Sequence, residues 1–122
     1  MKFTNTLTKP LTASFYENLQ FSDKSVVITP LVDSPFGKEI RIAFQEGQEM
    51  KEHQTKFPIS VMTLRGNIEF TVEGAHYTLK EGDVITLEGN IKHALKATEE
   101  SVVRLSLHKG DSFSRVKGVL AL

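Results

Sequence analysis

The sequence predicts an all-β domain, a sandwich or a barrel, and three observations carry that prediction. Short stretches alternate apolar with polar residues. Glycine-bearing turn signals separate them at short intervals. The chain has 122 residues, which fits one domain and leaves a second core of its own no room. A domain of that size buries about two-thirds of the surface its unfolded chain exposes, enough to stand without covalent staples.

The elements follow in order. The opening stretch, residues 1–24, is weakly patterned and predicts an arm or a short helical turn. From Ser25 onward strands dominate. In Glu39 to Phe44, Ile40, Ile42 and Phe44 share one face, opposite Glu39, Arg41 and Ala43. In Glu52 to Phe57, Glu52, Gln54 and Lys56 fall on one side and His53, Thr55 and Phe57 on the other. Successive strand side chains point to opposite faces, so His53 and Thr55 are expected to look inward. Ile59, Val61 and Thr63 alternate with Ser60, Met62 and Leu64, so this strand is partly apolar on both faces and predicts a second cover. A homodimer is the expected source of that cover.

Ile68, Phe70 and Val72 share a face before a turn at Glu73-Gly74-Ala75, and Tyr77 and Leu79 lead to another at Glu81-Gly82-Asp83. Val84 to Leu87 runs into a third turn, Glu88-Gly89-Asn90. Beyond it Ile91, His93, Leu95 and Ala97 share a face, which turns His93 inward. The final strand places Val103, Leu105 and Leu107 on the core side and Arg104, Ser106 and His108 outside. The apolar stretch 110–122 is expected to dock on the same domain, so the barrel itself spans 25–109.

Composition excludes several classes of function. Fifteen basic residues balance fifteen acidic ones without a block of either sign. A chain so balanced lacks the basic footprint of a nucleic-acid binder or a polybasic membrane anchor, and no direct nucleic-acid or membrane partner is expected. There is no cysteine, which removes disulfides, thiolate nucleophiles and cysteine metal sites. No run approaches the ~20 apolar residues of a membrane span, and the first residues lack the apolar core of a secretory signal, so the expected location is cytoplasmic. No Gly-x-Ser-x-Gly or phosphate-binding glycine loop occurs.

Two inward histidines from strands far apart in sequence, with Thr55 nearby, point to a polar pocket. At these residues the chain resembles the cupin superfamily. Gly47 is followed by five residues, His53-Gln54-Thr55, three residues, Ile59, six residues and Gly66. Gly82 is followed by five residues, Glu88-Gly89-Asn90, two residues and His93, with Ala97 four places on. The fifteen residues from Asn67 to Glu81 match the shortest spacing between the family's two motifs, and the resemblance runs from Val26 to Lys109. It is strongest to the small single-domain bacterial members.

The resemblance implies a jelly-roll barrel, also described as a double-stranded β-helix. In metal-binding members, two histidines and a glutamate of the first motif join the histidine of the second around a divalent metal. Here only His53 and His93 match. Thr55 stands at the second histidine's position and Ile59 at the glutamate's. Two imidazoles alone would hold zinc, nickel, iron or manganese weakly, since catalytic sites ordinarily have three protein ligands. The cofactor expectation is therefore no metal or a weakly held one. The expected function is binding of a small molecule in a pocket lined by His53, Thr55, Ile59 and His93. The alternative is a metal-dependent enzyme of dioxygenase or isomerase type, with His53 and His93 as ligands.

Overall fold

The structure is a computed structural model that describes residues 7–109, so the expected docking segment 110–122 lies outside the described residues. The described chain is all-β: β1 (Val27–Ser34), β2 (Gly37–Phe44), β3 (Glu49–His53), β4 (Ile59–Arg65), β5 (Asn67–Val72), β6 (Ala75–Lys80), β7 (Val84–Leu87), β8 (His93–Ala97) and β9 (Ser101–His108). Five strands form one antiparallel sheet in the order β1-β2-β9-β4-β7, and four form a second in the order β3-β8-β5-β6. The two sheets face each other as a jelly roll. No helix among the described residues is long and apolar enough to cross a membrane.

Outside β3, the inward faces are those the alternation predicts. Ile42, Phe44, Ile59, Val61, Ile68, Phe70, Val72, Leu79, Leu95, Ala97 and Val103 form one continuous buried cluster, with Leu105 and Leu107 packed against it. The turns also stand where the glycines place them. Glu73 (φ 48°) and Gly74 (φ 82°) close the β5–β6 hairpin, and Asn90 takes the left-handed conformation (φ 64°) that asparagine tolerates. Gly66 joins β4 to β5 at φ 97°. A Cβ there would strike the Ser101 side chain and come within 2.5 Å of the Glu100 carbonyl, so the tight crossing against β9 requires glycine.

The outer face of β2 and β9 differs from the sequence reading. Arg41 and Ser106 stand on the face opposite the core, as the alternation places them, yet they are 4% and 7% exposed, and Ala43 and Val102 are fully buried. Over Arg41 the cover is the chain's own arm, while the Ser106 hydroxyl donates to Glu39. Arg41 Nη1 donates to the carbonyls of Phe15 (3.2 Å) and Glu17 (2.9 Å), and Nη2 to that of Asn18 (3.4 Å). The Arg104 guanidinium lies 5.9 Å from the Phe15 ring centre, and Gln48 Nε2 donates to Ser22 O at 2.7 Å. A weakly patterned segment is thus docked through its backbone, which period-2 reasoning has no means to register.

Candidate functional site

β3 pairs with β8 through a β-bulge. Met50 stands opposite Leu95, and the next matched pair is His53 opposite His93. Three steps along β3 thus meet two along β8, so one extra residue is absorbed between Met50 and His53. Met50 packs against the core. Strict alternation from Met50 would send His53 outward, and the bulge re-aims it toward the same face as His93.

The imidazole rings of His53 and His93 lie 4.4 Å apart between centroids, tilted by 60°. Both are fixed alike. His53 Nδ1 donates to the Lys51 carbonyl at 2.7 Å and His93 Nδ1 to the Ile91 carbonyl at 2.8 Å. A carbonyl only accepts, so the proton of each neutral ring sits on Nδ1 and the Nε2 lone pair remains available. Neither Nε2 has a hydrogen-bond partner among the described residues. His93 is buried, at 3% exposure, and stacks on Phe70 with centroids 5.6 Å apart and planes 5° from parallel. Burial, followed by the neighbouring His53, pushes its pKa below the ordinary histidine value, against the raising effect of the Ile91 carbonyl.

Thr55 and Ile59 take different places. Thr55 lies beyond the end of β3, in the connection to β4, rather than on the strand expected through Phe57. Its hydroxyl donates to the Phe57 carbonyl at 2.9 Å, and its own carbonyl accepts from Asn90 N at 2.6 Å. That bond ties the β3–β4 connection to the turn before His93. A Cβ at Gly89 would strike the Lys56 carbonyl, so this turn too is packed tightly against the connection. Ile59 opens β4 at 1% exposure, opposite Leu87 and Leu107, within the apolar cluster. Glu52 and Gln54 are exposed.

The other two histidines are on outer faces. His76 Nε2 meets Glu69 Oε1 at 2.8 Å, and His108 Nε2 meets the Ser60 hydroxyl at 3.2 Å. Phe70, as the ring under His93, and Val72, opposite His93 on β5, are neighbours the sequence analysis did not assign to the site. Their place on the inward face of a strand was legible; their adjacency to His93 required the β5–β8 register. The donor set does not fit the metal centre of the metal-binding relatives. Among the described residues, no group of three or more histidine, aspartate or glutamate side chains comes together as a metal site. Thr55 spends its hydroxyl proton on a backbone carbonyl, and Ile59 has no donor atom.

Two antiparallel sheets closed over an apolar interior, with a matched pair of inward imidazoles from β3 and β8, define a histidine-bearing jelly-roll barrel. The model of the cupin domain family matches residues 40–109, and the chain belongs to that family. Solved structures share the fold across nearly the whole chain. A conserved Streptococcus pyogenes protein of unknown function is 22% identical with a TM-score of 0.71, over 91% of this chain and 97% of its own. An RmlC-like cupin from Desulfovibrio desulfuricans is also 22% identical at 0.71, covering 88% and 96%. A cupin 2 conserved barrel domain protein from Leptotrichia buccalis reaches 28% identity at 0.70, over 76% of this chain and 45% of that one. No curated protein matches the chain.

Proposed function

We propose that this cupin binds a small, partly apolar molecule bearing one acidic or carbonyl group. His53 and His93 serve as the polar end, with Thr55 beside them and Ile59 and Phe57 on the apolar wall. The observation that carries this reading is the matched anchoring of the two imidazoles. Each Nδ1 is spent on a backbone carbonyl, so two Nε2 atoms of fixed orientation are offered together. A few convergent polar groups in an apolar interior is how small-molecule sites are generally built. A sensing, storage or accessory role in the cytoplasm, in a homodimer, suits a site without an evident nucleophile or inward carboxylate.

A metal-dependent enzyme is the second reading, and the same anchoring favours it. Metal-ligating histidines ordinarily donate their other ring nitrogen to a carbonyl or carboxylate. Thr55 and Ile59 weigh against it, because they leave two protein ligands where three are usual. One preparation separates the readings. Protein purified without a nickel column or chelator is analysed for metal by mass spectrometry, then screened by thermal unfolding against small acids and carbonyl compounds. The binding reading expects metal well below one per chain. It also expects a stabilising compound whose effect His53→Ala and His93→Ala both abolish. At a hundredfold excess over Kd the midpoint rises by roughly 10 °C. Near-stoichiometric metal, lost in either alanine variant, would replace it with the enzyme reading.

A further inference from the structure

A second site lies outside the barrel. A cavity of about 470 Å³ separates the arm from the outer face of β1. Thr29 and Leu31 of β1, Thr12, Ser14 and Gln20 of the arm, and Arg41 of β2 line it. Thr29 stands directly opposite Arg41 in the β1–β2 register, so the two side chains share a face of the sheet.

The charge on Arg41 is the anomaly. The residue is 4% exposed, yet no carboxylate pairs with it among the described residues. Among the described residues its partners are three backbone carbonyls, and its Nε–H is buried with none. Burying a cation forfeits its hydration, and carbonyl dipoles return only part of it. A guanidinium presents five N–H groups as a planar fork that fits a carboxylate two bonds at a time. Here the Nη1 side is taken by Phe15 and Glu17. Among the described residues the Nε–Nη2 edge is held by Asn18 O alone, at 3.4 Å the longest of the three bonds. Asn18 itself turns through a left-handed φ of 56°. Glu17 also lines the cavity and carries a negative charge, but the residue is exposed and its contact with Arg41 is through its backbone. That solvated charge disfavours a dianion.

We propose that this cavity binds a small hydroxylated monocarboxylate. The carboxylate takes the Nε–Nη2 edge of Arg41 in place of the Asn18 carbonyl, and its hydroxyls meet Thr12, Thr29 and Gln20. Arg41 thereby has two functions: it clasps the arm when the cavity is empty and receives the anion when it is filled. The site is independent of His53 and His93.

The test is a titration of the ¹⁵N-labelled full chain with gluconate, followed by amide shifts. Hexanoate is the comparison without hydroxyls, phosphate the dianion, and sodium chloride the control at equal ionic strength. Saturable shifts at Asn18 and Thr29 with gluconate, weaker with hexanoate and phosphate and absent with chloride, are expected. Arg41→Gln should weaken binding at least about tenfold, as loss of a charge-assisted pair implies. Ala13→Phe fills the cavity from the exposed arm without touching Arg41 and should abolish binding, which keeps the question open to decision if Arg41→Gln does not fold. The double variant His53→Ala/His93→Ala should bind as the parent does. No saturable shift into the tens of millimolar, binding untouched by Ala13→Phe, or binding lost in the double histidine variant would each overturn the proposal.

Discussion

Thr63 is fully buried on the inward face of β4, and its hydroxyl has no hydrogen-bond partner among the described residues. Valine has the same shape without the hydroxyl, so Thr63→Val is expected to stabilise the protein by about 1 kcal/mol, read as a higher urea midpoint at unchanged slope. The opposite holds at Gly66, where alanine brings both left-handed strain and a collision with β9. Gly66→Ala is expected to cost about 2–4 kcal/mol by the same measurement. Single residues were unevenly legible. Asn90 announced its left-handed turn because few side chains tolerate one. His53 and His93 were read as inward, but nothing in the sequence revealed that they stand opposite each other. Nor did it reveal that Lys51 and Ile91 hold their rings.

At the scale of the element, β5 to β8 were read nearly as they stand, since short strands between glycine turns leave periodicity little freedom. β3 was not. The sequence reading ran a strand from Glu52 to Phe57, whereas β3 spans Glu49–His53 and carries a bulge. A bulge adds one residue and inverts the period, so a window begun after it gives the correct face for His53 and then extends the strand too far. Thr55 and Phe57 instead belong to a connection closed on Asn90. Between β2 and β9 the link is ionic as well as backbone. Glu39 accepts from Arg104 Nε at 2.8 Å and Nη2 at 3.1 Å, and from the Ser106 hydroxyl at 2.8 Å. The bond to Arg104, before the lesser effect of Ser106, holds its carboxyl below the ordinary glutamate value despite partial burial. The unfolded chain therefore binds this proton more readily than the folded one, and stability rises with pH across that interval. The contribution is complete above the unfolded value near 4.5 and is lost as pH falls through the lower folded value. Glu39→Gln should flatten the acid limb of a urea-midpoint profile relative to the parent.

For the whole molecule, the two apolar faces of β4 bear on assembly. Met62 stands opposite Val84 on the outer face of the large sheet, and Val84 is 53% exposed. The proposed homodimer would set a second copy over this face, which the arm at Arg41 and Arg104 does not reach. Light scattering is expected to give twice the 13.7 kDa of the chain, and Val84→Glu to return it to one chain with the barrel intact. A monomeric parent would withdraw the homodimer. The barrel class was legible because alternation and turn spacing are local. The cover over Arg41 was not, since a segment docked by its carbonyls leaves no side-chain pattern.

The place of β9 has a consequence for how the chain comes to be folded at all. Although last among the described strands, it lies between β2 and β4 in the middle of the five-stranded sheet. During synthesis the β1–β2 hairpin and the β4–β7 pair can form early, but they remain two fragments with unsatisfied edges until residues 101–108 leave the ribosome and join them. Pairings such as Ile42 with Val103 close loops of great length, which slows the search and exposes sticky intermediates to one another. The protein is thus a late assembler, its largest described sheet completed by the last of the described strands to emerge.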